Sequence, residues 1–145
     1  MKHIAISCDH AGFDLKERIK EELVAKGMEV KDYGPQTPQR MDYPDSIHPL
    51  AKAINEAETE CGIIICGSGN GVAMTANKYA NVRAGLCWTA ELAELTRLHN
   101  NANILALPAR FISEQVALDC VAKFLETGFE GGRHEARVAK IAKAC

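Results

Sequence analysis

Residues 61–78, CGIIICGSGNGVAMTANK, decide the fold. The unbroken apolar run from Cys61 to Cys66 suits a strand covered on both faces, as in a parallel sheet. Gly67, Gly69 and Gly71 follow within five positions, and a helix is predicted to begin near Asn70. A buried strand that turns through glycines into a helix is one half of a βαβ unit. The thiol at the join, Cys66, stands where such a fold presents its ligands.

The same alternation recurs on both sides of this stretch. HIAIS, residues 3–7, reads as a short buried strand. Phe13, Leu15, Ile19, Leu23 and Val24 then form a helical stripe that ends at Gly27. Residues 28–34 make a second strand, and the three prolines of residues 35–44 mark a loop. A helix is predicted over Ile47–Ala57, with Pro49 in its first turn. Beyond the glycine loop, RAGLCW (83–88) is a fourth strand and Thr89 caps the helix of TAELAELTRLHN. NILALP (103–108) is a fifth strand, Ser113 caps a helix reaching about Thr127, and a last helix spans roughly Glu130 to Lys143.

This order predicts a single domain over residues 1–145: a Rossmann-like, three-layer α/β/α fold with a five-stranded parallel sheet. Ligands of such sheets bind beyond the carboxyl ends of the strands, where the winding reverses. With strand 3 beside strand 1, that crevice lies between SCDH (7–10) and CGSGNG (66–71).

Bulk properties exclude several classes. The 145 residues carry a formal net charge of -2, with 17 basic residues dispersed among 19 acidic ones, which argues against nucleic acid. No apolar run approaches the roughly 20 residues of a membrane span, and MKHIAISCDH turns polar too soon for a signal peptide. The six cysteines, Cys8, Cys61, Cys66, Cys87, Cys120 and Cys145, include no CxxC pair. A reduced, cytoplasmic protein without structural zinc is expected.

The glycine loop fits no common phosphate or nucleophile motif. A dinucleotide fingerprint needs GxGxxG, and Val72 stands at the third glycine; a P-loop needs GK[ST], which is absent. A nucleophile elbow needs glycine where Cys66 stands. A cysteine phosphatase loop needs arginine where Val72 stands, and a phospho-receiver domain needs aspartate at Cys66. What remains is a thiol at the foot of backbone amides, with Asp9 and His10 across the crevice. Base and oxyanion cradle together are what proton abstraction beside a carbonyl requires. A buried structural thiol is the competing reading of Cys66. Arg133 and Arg137, four apart, suit a phosphate or else a solvated helix face. Arg110 follows strand 5 at the functional edge, whereas His99 and Asn100 at a helix end have no role from position alone.

CDHAGFDLK, DYP, CGSGNGVAMTANK, HNNANILAL and EGGRHEARVAKI, in this order, resemble ribose-5-phosphate isomerase type B, over nearly the whole chain. That family includes allose-6-phosphate and galactose-6-phosphate isomerases. The resemblance implies aldose–ketose isomerisation within the pentose phosphate pathway, through an enediolate and with no metal or cofactor. It also implies a homodimer, possibly a tetramer, with the active site shared across the interface. Cys66 matches the family's base and His99 the acid that opens the furanose ring. Gly67, Ser68, Gly69, Asn70 and Gly71 match the enediolate cradle. Asp9, His10, Asn100 and Tyr43 match sugar contacts, and Arg110, Arg133 and Arg137 phosphate-side contacts. Two departures stand out. One branch carries its base as a glutamate after GSGNG, where this chain has Val72, so the burden falls on Cys66. Pro108 replaces a common glycine and fixes φ next to Arg110. The alternatives are an allose-6-phosphate isomerase and a non-catalytic sugar-phosphate binding module; HNN argues against galactose 6-phosphate.

Overall fold

A computed structural model describes residues 3–143, so Cys145 lies outside the described residues. The apolar runs form five strands: β1 (His3–Cys8), β2 (Glu29–Asp32), β3 (Cys61–Cys66), β4 (Ala84–Leu86) and β5 (Ile104–Pro108). The amphipathic segments form six α-helices: α1 (Phe13–Ala25), α2 (Tyr43–Asn55), α3 (Asn70–Ala76), α4 (Ala90–Asn100), α5 (Glu114–Glu126) and α6 (Arg133–Ile141). All strand pairs are parallel, in the order β2-β1-β3-β5-β4. The three-layer α/β/α expectation holds.

Two apolar layers sandwich the sheet. One joins Ile19 and Leu23 of α1 and Phe124 of α5 to Ile4, Ile6, Ile63 and Leu105. The other joins Ile47, Leu50 and Ile54 of α2 and Val72 and Ala76 of α3 to Ala5, Ile64 and Ala106. Alternate residues of β3 therefore enter opposite layers, which is why its sequence shows no polar face.

Two local expectations change. The helix predicted from Ile47 begins at Tyr43, so Pro44 occupies its first turn and Pro49 lies inside it. The buried face of Ile47, Leu50, Ala51 and Ile54 holds that helix although Pro49 donates no backbone bond. The fourth strand shrinks to three half-buried residues at the sheet edge, and the fully buried β5 takes the place beside β3. Chain order alone does not specify this placement. Its result is that the carboxyl end of β3 is flanked by the ends of β1 and β5.

A charged cluster ties α1 to β2. Lys16 is fully buried, 2.6 Å from Asp32, and Lys20 lies 2.5 Å from the same carboxylate. Burial alone would raise the Asp32 carboxyl, but bonds from Lys16, Lys20 and the Gly34 N–H hold it below its ordinary value.

Candidate active site

The crevice between β1 and β3 forms as the topology requires. Asp9 N–H donates to the Ile65 carbonyl at 3.1 Å, which joins the two strand ends. The Asp9 carboxylate accepts the N–H groups of Ala11 and Gly12 at 2.9 and 3.1 Å, so it caps the following turn and is itself buried. Met41 N–H donates to His10 Nδ1 at 3.2 Å. That bond makes Nδ1 an acceptor and leaves Nε2 as the N–H donor of the neutral ring. Ser46 Oγ donates to the Cys8 carbonyl at 2.6 Å and so anchors α2 to the end of β1. Asp9, His10, Arg40, Met41, Asp42 and Tyr43 are among the residues around an open hollow of about 440 Å³ here.

Cys66 is 5% exposed, and its Sγ accepts the Gly69 N–H at 3.2 Å. A donor aimed at sulfur interacts more strongly once the sulfur carries charge. The other four described thiols are free and buried. Burial pushes Cys8 and Cys87 up to about 12 and Cys61 and Cys120 up to about 11, which leaves them inert near neutral pH. Gly69 has φ +75°, and a Cβ there would strike Leu86 and come within 3.2 Å of the Leu107 backbone. A Cβ on Gly71 would stand 2.5 Å from the Tyr43 ring, so that glycine lets Tyr43 lie against the loop.

Arg110 joins this loop despite Pro108. Ala109 N–H donates to the Cys66 carbonyl at 2.9 Å and Arg110 N–H to the Gly67 carbonyl at 3.0 Å. The Arg110 side chain runs past Gly67, within 3.2 Å of where a Cβ would be. Asp9, His10, Tyr43, Cys66, the 67–71 loop and Arg110 thus share the carboxyl edge of the sheet. Val72 is fully buried in the apolar layer beneath.

The other expected residues lie at the opposite edge. The 11-residue α4 runs back against the strand direction by about 16 Å. It delivers His99 and Asn100 to the amino end of β5, where Ile104 is in register with Gly62. Cys66 is four residues further along β3, about 13 Å away. Asn100 lines a shallow groove there with Asn77, Arg83 and Ile141. Glu130 N–H donates to the Leu98 carbonyl at 3.1 Å, which sets α6 beside His99. Arg133 and Arg137 are exposed on α6, and among the described residues neither they nor Arg110 has a carboxylate partner within 4.0 Å.

Residues 4–141 match the family model described as Ribose/Galactose Isomerase. The chain belongs to that family. Ribose-5-phosphate isomerase B of Escherichia coli K12 is 43% identical over 141 residues, covering 97% of this chain and 95% of the relative. A ribose 5-phosphate isomerase crystal structure from Thermotoga maritima superposes with TM-score 0.96 at 46% identity, covering 98% of each chain. Ribose-5-phosphate isomerase B from Mycoplasma genitalium, solved with ribulose-5-phosphate bound, superposes with TM-score 0.93 at 41% identity, covering 97% of this chain and 93% of that one.

For a Ribose/Galactose Isomerase family member, three features escaped the sequence. Met41 and Ser46 act through a backbone amide and a buried hydroxyl, which no spacing betrays. Glu130 and His134 meet His99 only through the packing of α6 on α4. The sole signal for His134 was its place between two arginines in GGRHEAR.

Proposed function

We propose that this chain interconverts ribose 5-phosphate and ribulose 5-phosphate, with Cys66 as the base. The observation that carries it is the Cys66 sulfur at the carboxyl end of β3, facing the glycine loop and accepting the Gly69 N–H. The family relationship and the sugar named for its relatives support the substrate.

The chemistry follows from the placement. The Cys66 thiolate takes the C2 proton of the open-chain aldose, and the C1 carbonyl becomes an enediolate oxygen held by loop N–H groups. The thiol returns that proton to C1 while the O2 hydroxyl proton moves to O1, giving the ketose. Asp9, His10 and Tyr43 line the sugar, and His10 offers an Nε2–H donor. Arg110 stands at the loop as a cation for the phosphate side.

His99, Asn100, Arg133 and Arg137 complete this site from a second copy. Their position at the amino edge puts them out of reach of Cys66 in their own chain, so a two-fold dimer supplies each site with both halves. Exposed apolar residues at the carboxyl edge, including the Trp88–Phe111 pair with ring centroids 5.4 Å apart, favour such an association.

The test is turnover of ribose 5-phosphate beside allose 6-phosphate on one preparation. The proposal predicts the faster reaction on ribose 5-phosphate. Preference for allose 6-phosphate would reassign the substrate, and tight binding with no isomerisation would leave a binding module.

A further inference from the structure

The turn into α6 brings two more groups to His99. The His99 and His134 rings stack with centroids 4.4 Å apart and planes 16° apart. Glu130 Oε2 lies 3.7 Å from His99 Nε2 and 3.6 Å from His134 Nε2. His134 is 6% exposed, and its Nε2 is buried with no hydrogen-bond partner. An unsatisfied buried ring nitrogen is costly, and Glu130 is the acceptor at hand.

The three ligand atoms lie within 4.8 Å of one another, as in a metal site. The stacking argues against that use. A ligating imidazole directs its lone pair in its ring plane, and two stacked rings send theirs nearly parallel instead of converging on one ion.

We propose that Glu130 is a positioning residue whose carboxylate accepts from both ring nitrogens and holds His99 in one orientation against His134. This rests on His99 as the ring-opening acid. Shortening each contact by about 0.5 Å brings both into hydrogen-bond range. The side chains of His99 and Glu130 are 38% and 48% exposed and have room to move. Burial, with Arg133 and His99 nearby, holds the His134 ring below its ordinary 6.5. His134 then serves as a stacking surface, and the imidazolium form of His99, with its Nε2–H on Glu130, presents Nδ1–H to the sugar as the ring-opening acid.

Glu130→Gln is isosteric and leaves the bond from residue 130 to the Leu98 carbonyl in place. Two substrates separate its roles. Ribose 5-phosphate must open a furanose ring, whereas D-erythrose 4-phosphate carries its phosphate on O4 and has no furanose to open. Glu130→Gln should lower kcat on ribose 5-phosphate about 10–100-fold and on erythrose 4-phosphate less than about twofold, with KM and Tm unmoved. His99→Asn, measured alongside, should show the same split more strongly. Should wild type not turn over erythrose 4-phosphate, single-turnover rates of the proton-transfer step from ribulose 5-phosphate, which also forms no furanose, replace it, because steady-state kcat/KM in the two directions is tied by one equilibrium constant. A split for His99→Asn without one for Glu130→Gln overturns the positioning role alone. No split in either variant overturns the His99 assignment and the positioning role with it. Equal losses on both substrates with a lowered Tm would make Glu130 merely structural.

Discussion

If each site takes Cys66 from one chain and His99 from the other, two dead variants should repair each other. Cys66→Ala removes the base and His99→Asn the ring-opening acid, and each homodimer should lose about 10²–10⁴ in rate. In a mixed two-fold dimer, one site collects both substitutions and the other collects neither. Random reassortment makes about half the dimers mixed, each with one native site of two, so about a quarter of wild-type turnover should return. The geometric basis is the register of Ile104 with Gly62, which sets His99 at the amino edge while Cys66 ends β3. The assay is ribose 5-phosphate turnover after co-expression with two tags, and after isolation of the doubly tagged dimer. Verified mixed dimers no more active than the parents would place both residues in a site within one chain and refute the topology argument.

Arg137→Ala should raise the KM for ribose 5-phosphate by about 10–100-fold, because a charge-assisted contact contributes about 1.5–3 kcal/mol; an unchanged KM returns α6 to a solvated face. Asp32→Asn should destabilise the fold by about 1–3 kcal/mol in urea titration, since it leaves the fully buried Lys16 to the Glu17 carboxylate, 3.0 Å away. The Asp32 carboxyl is held below its ordinary 3.8, so wild type keeps this contribution above that pH and loses it as pH falls further. Equal urea midpoints for wild type and Asp32→Asn at neutral pH would contradict it.

What the sequence disclosed was local. The run Cys61–Cys66 and the glycines after it name both strand and loop, because burial on two faces removes every polar residue from the strand. The Thr89 and Ser113 caps are read as easily, since each side chain accepts the N–H three residues on. The start of α2 was missed because Pro44 and Pro49 are both permitted in a first turn, and only packing chooses between them. The place of β5 beside β3 depends on which strand is better buried, a property of the assembled sheet. Arg110 was legible from its position after β5, but its hold on the loop comes through backbone bonds that Pro108 does not disturb. The separation of His99 from Cys66 needed the direction of α4 relative to the sheet. The Glu130–His134 contact needed α6 in place.

If Cys66 is the base, one substitution should silence the enzyme. Cys66→Ala removes a small side chain that is 5% exposed at a loop edge, so fold and phosphate binding should survive. Turnover of ribose 5-phosphate should fall by at least about 10²–10⁴, the usual contribution of a general base. Cys66→Ser should fare little better, since a hydroxyl seldom forms the anion near neutral pH. The measurement is the rate of ribulose 5-phosphate formation by Cys66→Ala protein whose circular dichroism and ligand affinity match wild type. Near-complete loss is expected; near-normal turnover would leave Cys66 as packing.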